Sequence, residues 1–364
     1  LIFAENMREL LSRMFTPKYT ITNKILKYIA SIETSREIIE NAPLVPAWQD
    51  KLRRDAMLRS VHYGTHIEGN DLNISEAEEV LAGREVDGRD RDIQEVLNFR
   101  RVMEYVDKIG RKKAMPSVKD MLEIHRLTVD KILWASEAGH FRDKNVVVKS
   151  KGKGVSFTPP EHGVVAQEVD NFFDWLKRAD PNDLHPTIIA GVTHYELARI
   201  HPFIDGNGRT ARALATLVLF ASGYDIKKFF ALEEYYDRHL QNYYDVLKEV
   251  SDQLVSDESH RDLTPWLEYF VEGLASELGK VKEKVRELSM DVKLRGKVGQ
   301  IALSERQMRL VEYMEKWGEV KGSAWRQLIP GVSDDTILRD LKDLQKKGLV
   351  KKKGSTKGAV YMLK

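Results

Sequence analysis

His201–Arg212, read as HPFIDGNGRTAR, sets a histidine, a carboxylate, two turn glycines and two arginines between two apolar helical segments. Ile200 and Phe203 read as core anchors closing the helix that begins near Thr187. Gly206 and Gly208 permit a tight turn that exposes its backbone, and Arg209 opens the next helix. Amide groups at such a glycine-rich helix entry point outward and bind anions such as phosphate. Arg209 and Arg212, three residues apart, share a helical face, so both can reach one polyphosphate. Asp205 beside that cradle suits Mg²⁺, which takes a carboxylate together with phosphate oxygens and water. His201 has an ordinary pKa near 6.5 and can accept a proton at neutral pH. Together they describe a nucleotide-transfer site. Rival signatures are missing: no Lys-Ser/Thr follows the glycines as in a P-loop, and there is no HExxH helix.

Working outward, helical periodicity dominates. TARALATLVLFASG is apolar on nearly every side, as a helix at the centre of a bundle is. Apolar spacing predicts helices from Ile21 to Ile32, through KLRRDAMLRSVHYGTHIEG to a stop near Gly69, from Asp92 to Ile109, and from Ser117 through Leu127. Ser75 and Glu78 stand at capping-box spacing. Glu168–Leu176 continues the series, and EEYYDRHLQNYYDVLKEV and LTPWLEYFVEGLASELGKVKEKVREL close it. The one convincing strand pair is Val146–Val148 with Val155–Phe157, ended by Pro159 and Pro160.

The 364 residues predict two or three domains. No run of about 18 apolar residues predicts a membrane span, and LIFAENMREL lacks the order of a signal peptide. With no cysteine, disulfides and thiolate metal sites are excluded, which fits a cytoplasmic location. Net charge is +2, but from Lys293 onward the chain holds 17 basic against 8 acidic residues. A basic tail on an acidic body is the asymmetry of an appended nucleic-acid-binding module, or of a solvated lysine-rich surface.

The opening stretch resembles the motif of the Fic family, H-x-F-x-D/E-G-N-G-R-x-x-R, at every fixed position. The resemblance implies that His201 is the general base for a protein hydroxyl and Asp205 the Mg²⁺ ligand. It implies that ATP lies along Gly206, Asn207, Gly208, Arg209, Thr210, Ala211 and Arg212, with Arg212 on the γ-phosphate. Relatives with this motif type transfer AMP from ATP to Ser, Thr or Tyr of a target protein. The hairpin at 146–157, preceded by GHFR, resembles the family's flap, onto whose edge an extended target segment can dock. YYDVL resembles the segment over the adenine, with Tyr244 the better candidate and Tyr243 the second. GTHIEGN, residues 64–70, resembles the inhibitory helix S/T-x-x-x-E-G/N, which makes Glu68 the residue that pairs with Arg212 in the γ-phosphate's place. The sequence departs there: Gly64 stands where the family has Ser or Thr, and the nearest hydroxyl is Thr65.

The C-terminal stretch SDDTILRDLKDLQKKGLV has a serine cap, an Ile337/Leu341/Leu344 stripe and a glycine stop at Gly348, followed by a short lysine-decorated hairpin. It resembles a winged helix, with Arg339, Lys342, Lys346, Lys351–Lys353 and Lys357 as candidate DNA contacts. Asp334 and Asp335 oppose a phosphate backbone, and such modules also dock proteins.

The expected fold is mainly α: a Fic helical bundle with a β-hairpin flap, plus a C-terminal winged-helix domain. The expected division is 1–114 for the region carrying the inhibitory helix, 115–273 for the catalytic domain, 274–301 for a connector and 302–364 for the winged helix. The expected activity is Mg²⁺- and ATP-dependent protein adenylylation held in check by Glu68. A nucleotide-sensing DNA-binding regulator and a phosphohydrolase that removes AMP remain as alternatives. Expected partners are a target protein at the 146–157 hairpin, DNA at the winged helix and a second copy of the chain, with no membrane.

Overall fold

The computed structural model describes residues 15–44, 46–150, 154–255, 261–295, 303–354 and 359–364. Helices α1 (Asn23–Asn41), α2 (Pro46–His66), α3 (Ile74–Leu81), α4 (Asp90–Gly110) and α5 (Val118–Thr128) come first. A hairpin of β1 (Val148–Ser150) and β2 (Gly154–Phe157) precedes α6 (Val165–Arg178), α7 (Pro186–Ile200), α8 (Asn207–Ala221), α9 (Leu232–Arg238), α10 (Leu240–Ser251) and α11 (Thr264–Arg295). After these come α12 (Glu305–Trp317), α13 (Gly322–Leu328), α14 (Asp334–Lys346), β3 (Val350–Lys353) and β4 (Val360–Leu363). The fold is mainly helical, as expected.

The chain divides into two units: residues 1–37 with 55–281, and residues 38–54 with 282–364. In the first, α8 is the hub. Its residues are buried almost without interruption from Asn207 to Leu219, and α7, α4 and α5 pack around it. A helix surrounded this way must be apolar on all faces, which is what TARALATLVLF supplies.

Three local details differ from expectation. The α3 capping box is Asn73 with Glu76, not Ser75 with Glu78: the Asn73 side chain accepts from the Ser75 and Glu76 amides, and Glu76 accepts from the Asn73 amide at 2.8 Å. Asparagine caps as well as serine does, so the helix starts at the earlier residue. The hairpin pairs Val148 with Phe157, Lys149 with Val155 and Ser150 with Gly154, nearer its turn than the apolar run suggests. Pro159 has no N–H to offer the ladder, so the pairing does not extend to Val146. Helix α2 ends at His66 rather than at Gly69, and Glu68 follows in a turn closed by Glu68 N–H to Thr65 O at 3.0 Å and Gly69 N–H to His66 O at 2.9 Å.

In the second unit α12, α13 and α14 enclose a core with the antiparallel β3–β4 hairpin. Ile337, Leu341 and Leu344, the stripe expected on α14, are wholly buried in it. Ser333 caps α14 through its hydroxyl, which accepts from the Thr336 amide. Lys357, among the candidate DNA contacts, and residue 302, the expected start of the winged helix, lie outside the described residues, as do residues 151–153 of the flap turn.

Candidate active site

Helix α7 stops because His201 takes a left-handed conformation, φ 51° and ψ 57°, which a residue with a Cβ adopts only when its surroundings hold it there. The His201 amide donates to Leu197 O at 3.0 Å, and its carbonyl accepts from Arg142 Nε at 2.9 Å. Its Nδ1 lies 3.2 Å from Ala198 O. A carbonyl only accepts, so Nδ1 carries the proton and Nε2 is left with its lone pair. Burial lowers the pKa of His201, outweighing the Ala198 hydrogen bond and the carboxylates of Glu68 and Asp205, which raise it. Burial thus favours the neutral ring, and among the described residues its Nε2 has no partner.

The loop beyond it is pinned from within. Phe203 is fully buried, and the Asn207 side chain both accepts from Phe203 N–H and donates to Phe203 O, each at 2.9 Å. Asn207 therefore organises the turn with its side chain and offers an anion only its amide. Gly206, at φ 75°, caps α8 in a conformation that favours glycine. The first amides of α8 have no intrahelical acceptor and form the cradle the sequence suggests. Thr210 and Ala211 are buried in the bundle.

The two arginines face different carboxylates. Arg209 lies 3.1 Å from Glu95 and 3.7 Å from Asp205, whereas Arg212 donates to Glu68 Oε1 at 2.7 Å and to Gly64 O at 3.0 Å. Asp205 also accepts from Arg91 at 2.6 Å and from the Gly206 amide at 2.6 Å. Burial alone would raise the pKa of Asp205, but Arg209, Arg91 and the Gly206 amide bring it below the usual carboxylate range. It is an ionised carboxylate that already attracts cations at its rim. Among the described residues no three His, Asp or Glu side chains cluster to hold a metal unaided. Asp205 fits Mg²⁺ in the one way open to it, as a single carboxylate completed by substrate phosphates and water.

Glu68 reaches Arg212 because the second half of α2 is fastened to α9. Arg59 pairs with Glu234 at 2.6 Å, Ser60 donates to Glu233 at 2.6 Å, and His66 Nδ1 lies 2.6 Å from Asp237. A Cβ at Gly208 would overlap Glu68 Oε1, so the absent side chain is the space into which the carboxylate fits.

His201, Asp205, Asn207, Arg209 and Arg212 lie within residues 116–219, which match the Fic/DOC family. This part of the chain is a Fic domain. The protein adenylyltransferase Fic of Drosophila grimshawi is 33% identical over 201 residues, which cover 54% of this chain and 40% of that protein. That of Drosophila virilis is 34% identical over 179 residues, covering 48% and 35%. The chain thus spans about two-fifths of the length of the curated relatives it matches. Among solved structures, a Fic family protein from Desulfovibrio desulfuricans G20 superposes with a TM-score of 0.65 at 24% identity, covering 96% of this chain and 98% of that one. Fic-1 from C. elegans superposes at 0.55 and 23% identity, covering 74% and 73%. At these identities the structures establish the shared fold.

Within this Fic domain and the helices beside it, both tyrosines adjoin the Arg212–Glu68 pair: Tyr244, 41% exposed, donates its hydroxyl to Ile67 O at 3.3 Å, next to Glu68, and Tyr243 lies against Arg212. Tyr243, the second candidate, is buried among His194, Tyr236 and Trp266, its hydroxyl 3.0 Å from His194 Nε2. Adjacent helical positions point to different faces, so one ring serves the core and the other the surface. Thr65 does not replace the missing hydroxyl at position 64; its Oγ1 donates back to Val61 O and His62 O, both at 3.0 Å. Gly64 lies against Phe99, whose ring a Cβ there would overlap.

Sequence reading missed Arg142, His125, Arg91 and Glu95. His125 is fully buried, stacked on Phe203 at 3.7 Å between centroids. It accepts from the Gly139 amide at Nδ1 and so donates from Nε2 to Asp205 O at 3.0 Å. No spacing rule links it to a loop 80 residues away. Its one trace is a histidine on an otherwise apolar helix face.

Proposed function

We propose that the chain is a protein adenylyltransferase, transferring AMP from Mg²⁺-bound ATP to a Ser, Thr or Tyr hydroxyl of another protein and restrained by Glu68. The observation that carries this is His201: among the described residues every polar group it has is partnered except Nε2. Nucleotide binding alone has no use for such a base. His201 Nε2 takes the hydroxyl proton as that oxygen bonds to the α-phosphorus, and the bond to the β-phosphate oxygen breaks to release pyrophosphate. The α8 amides hold the phosphates, and Arg209 and Arg212 neutralise charge that grows on them. Asp205 would hold Mg²⁺, which when bound neutralises phosphate charge. The hairpin of β1 and β2 pairs only within itself among the described residues, leaving an outer edge for an extended target segment.

Glu68 restrains transfer by occupying Arg212. A triphosphate whose γ-phosphate lacks that arginine binds out of line, and misalignment suppresses attack. The test is transfer from α-labelled ATP to proteins of a lysate. Glu68→Gly is expected to raise labelling, and adding His201→Ala to abolish it. Labelling that persists without His201 overturns the reading.

We also propose that the C-terminal unit is a winged helix that contacts DNA. Asp334 at the start of α14 is turned to the Arg326 guanidinium and to Trp325 Nε1, at 3.1 Å from the latter. Arg326 and Trp325 hold its pKa down to about 2, so its charge is neutralised within the unit. Arg339, Lys342 and Lys346 lie exposed at helical spacing, and Lys351–Lys353 are exposed on β3. Retention of duplex DNA that weakens with salt supports this, and salt-independent behaviour removes it. No described helix is long and apolar enough to cross a membrane.

A further inference from the structure

Arg142 stands just before the flap and is only 3% exposed. Its guanidinium spreads over three carbonyls from three separate segments: Nε to His201 O at 2.9 Å, Nη1 to Lys144 O at 3.2 Å and Nη2 to Pro160 O at 2.5 Å. Lys144 leads into the hairpin and Pro160 leads out of it. The Arg142 amide adds a fourth bond, to Pro202 O at 2.9 Å. A buried guanidinium usually has a carboxylate beside it, because desolvating a lone charge is unfavourable. Among the described residues Arg142 has only carbonyl partners, and burial lowers its pKa. A cation retained on these terms does not serve charge balance. What it supplies is the planar fork, whose donors point in fixed directions.

We infer that Arg142 is a positioning residue for AMP transfer, locking the left-handed backbone of His201 and both stems of the flap hairpin into one geometry. The inference rests on the proposed transfer reaction, in which the base must meet a hydroxyl presented by the hairpin. The two are brought together through a single side chain. None of its partners belongs to the α8 amides or to Arg209 and Arg212, so nucleotide binding lies outside its reach.

The test uses the full chain with Glu68→Gly as parent, compared with Arg142→Lys and Arg142→Met. Lysine keeps the charge but cannot span three carbonyls. Transfer is expected to fall about 10- to 100-fold in Arg142→Lys, the penalty for misplacing reacting groups by about 1 Å, while the ATP dissociation constant stays within about twofold. A transfer rate within about twofold of the parent overturns the inference, as does ATP affinity lost in step with the rate.

The pH dependence separates geometry from charge. The charged groups facing His201 are Glu68 from the α2 turn, Asp205 from its own loop and Arg142 from the flap stem. Of these Arg142 opposes protonation, so Arg142→Met is expected to move the acid limb of the rate to higher pH and Arg142→Lys to leave it in place. Nitrogen-15 NMR titration of His201 reads the same shift without any transfer. If the parent labels nothing, the transferase reading fails by itself. An unchanged His201 titration in Arg142→Met then overturns the claim about Arg142. Should the methionine variant not fold, the lysine variant decides by its rate alone.

Discussion

The loop between α7 and α8 and the helix–hairpin at α14–β3 both join a helix to a basic stretch through a glycine, yet they handle charge in opposite ways. At the first, Arg209 and Arg212 are almost fully buried and each faces a named carboxylate. At the second, Arg339, Lys342, Lys346 and Lys351–Lys353 are exposed. Buried charges demand partners at fixed positions, so Arg209 and Arg212 tolerate few replacements. Exposed charges act by number and sign, so the second tolerates exchange among lysines and arginines. One region is a site and the other a surface, and the difference can be tested from its strongest consequence downward.

The largest effect is expected at His201. In the Glu68→Gly parent, His201→Ala should lower transfer by about 10²- to 10⁴-fold, the usual contribution of a general base. The sign of its pH dependence follows from the structure. The active form is neutral and burial lowers the pKa, so the rate should hold as pH falls through the ordinary histidine value of about 6.5 and decline only below it. A pH–rate profile whose acid limb lies above that value would place the base elsewhere.

Next is the latch. Glu68→Gly frees Arg212 and should raise transfer about tenfold or more, read as incorporated label at saturating ATP. Glu68→Gln keeps the size of the side chain without its charge. If it activates as strongly as glycine, the ion pair at 2.7 Å is the restraint. If it remains silent, simple occupation of the space above Gly208 is what matters.

A smaller effect, on stability, concerns the departure at position 64. Gly64→Ser restores the hydroxyl of the family pattern but drives a Cβ into the Phe99 ring. Overpacking of this kind costs about 1–3 kcal/mol, measurable as a lower urea midpoint. Gly64→Ser combined with Phe99→Leu should recover part of the loss, because the smaller side chain vacates the contested space.

These contrasts also explain what the sequence disclosed. The twelve-residue stretch was legible because its function depends on neighbours in the chain: a histidine, a carboxylate four residues on and a helix entry directly after. The apolar helix α8 and the Ile337/Leu341/Leu344 stripe were legible because burial follows periodicity. Arg142 and His125 were not, since each acts on the loop across a long sequence separation through backbone carbonyls that carry no identity of their own. Tyr243 and Tyr244 could not be separated by sequence, because a one-residue step around a helix decides core or surface. The end of α2 was misjudged for a related reason. Glu68 leaves the helix at the turn, and the fastenings that aim it, Arg59 to Glu234 and Ser60 to Glu233, come from a segment more than 170 residues away.

The smallest expected effect per residue lies at the exposed face. If Arg339, Lys342 and Lys346 meet DNA phosphates, replacing each with alanine should weaken binding modestly and reduce the slope of log affinity against log salt by about 1. Reversing Asp335, exposed at the same helix start, to lysine should steepen it. Lysine at 339 should change nothing, since a phosphate contact of this kind reads charge and not shape. Were Arg339→Lys to abolish binding instead, that residue would be making a bidentate contact with a base edge. The surface would then have the position-by-position identity assigned here only to the loop.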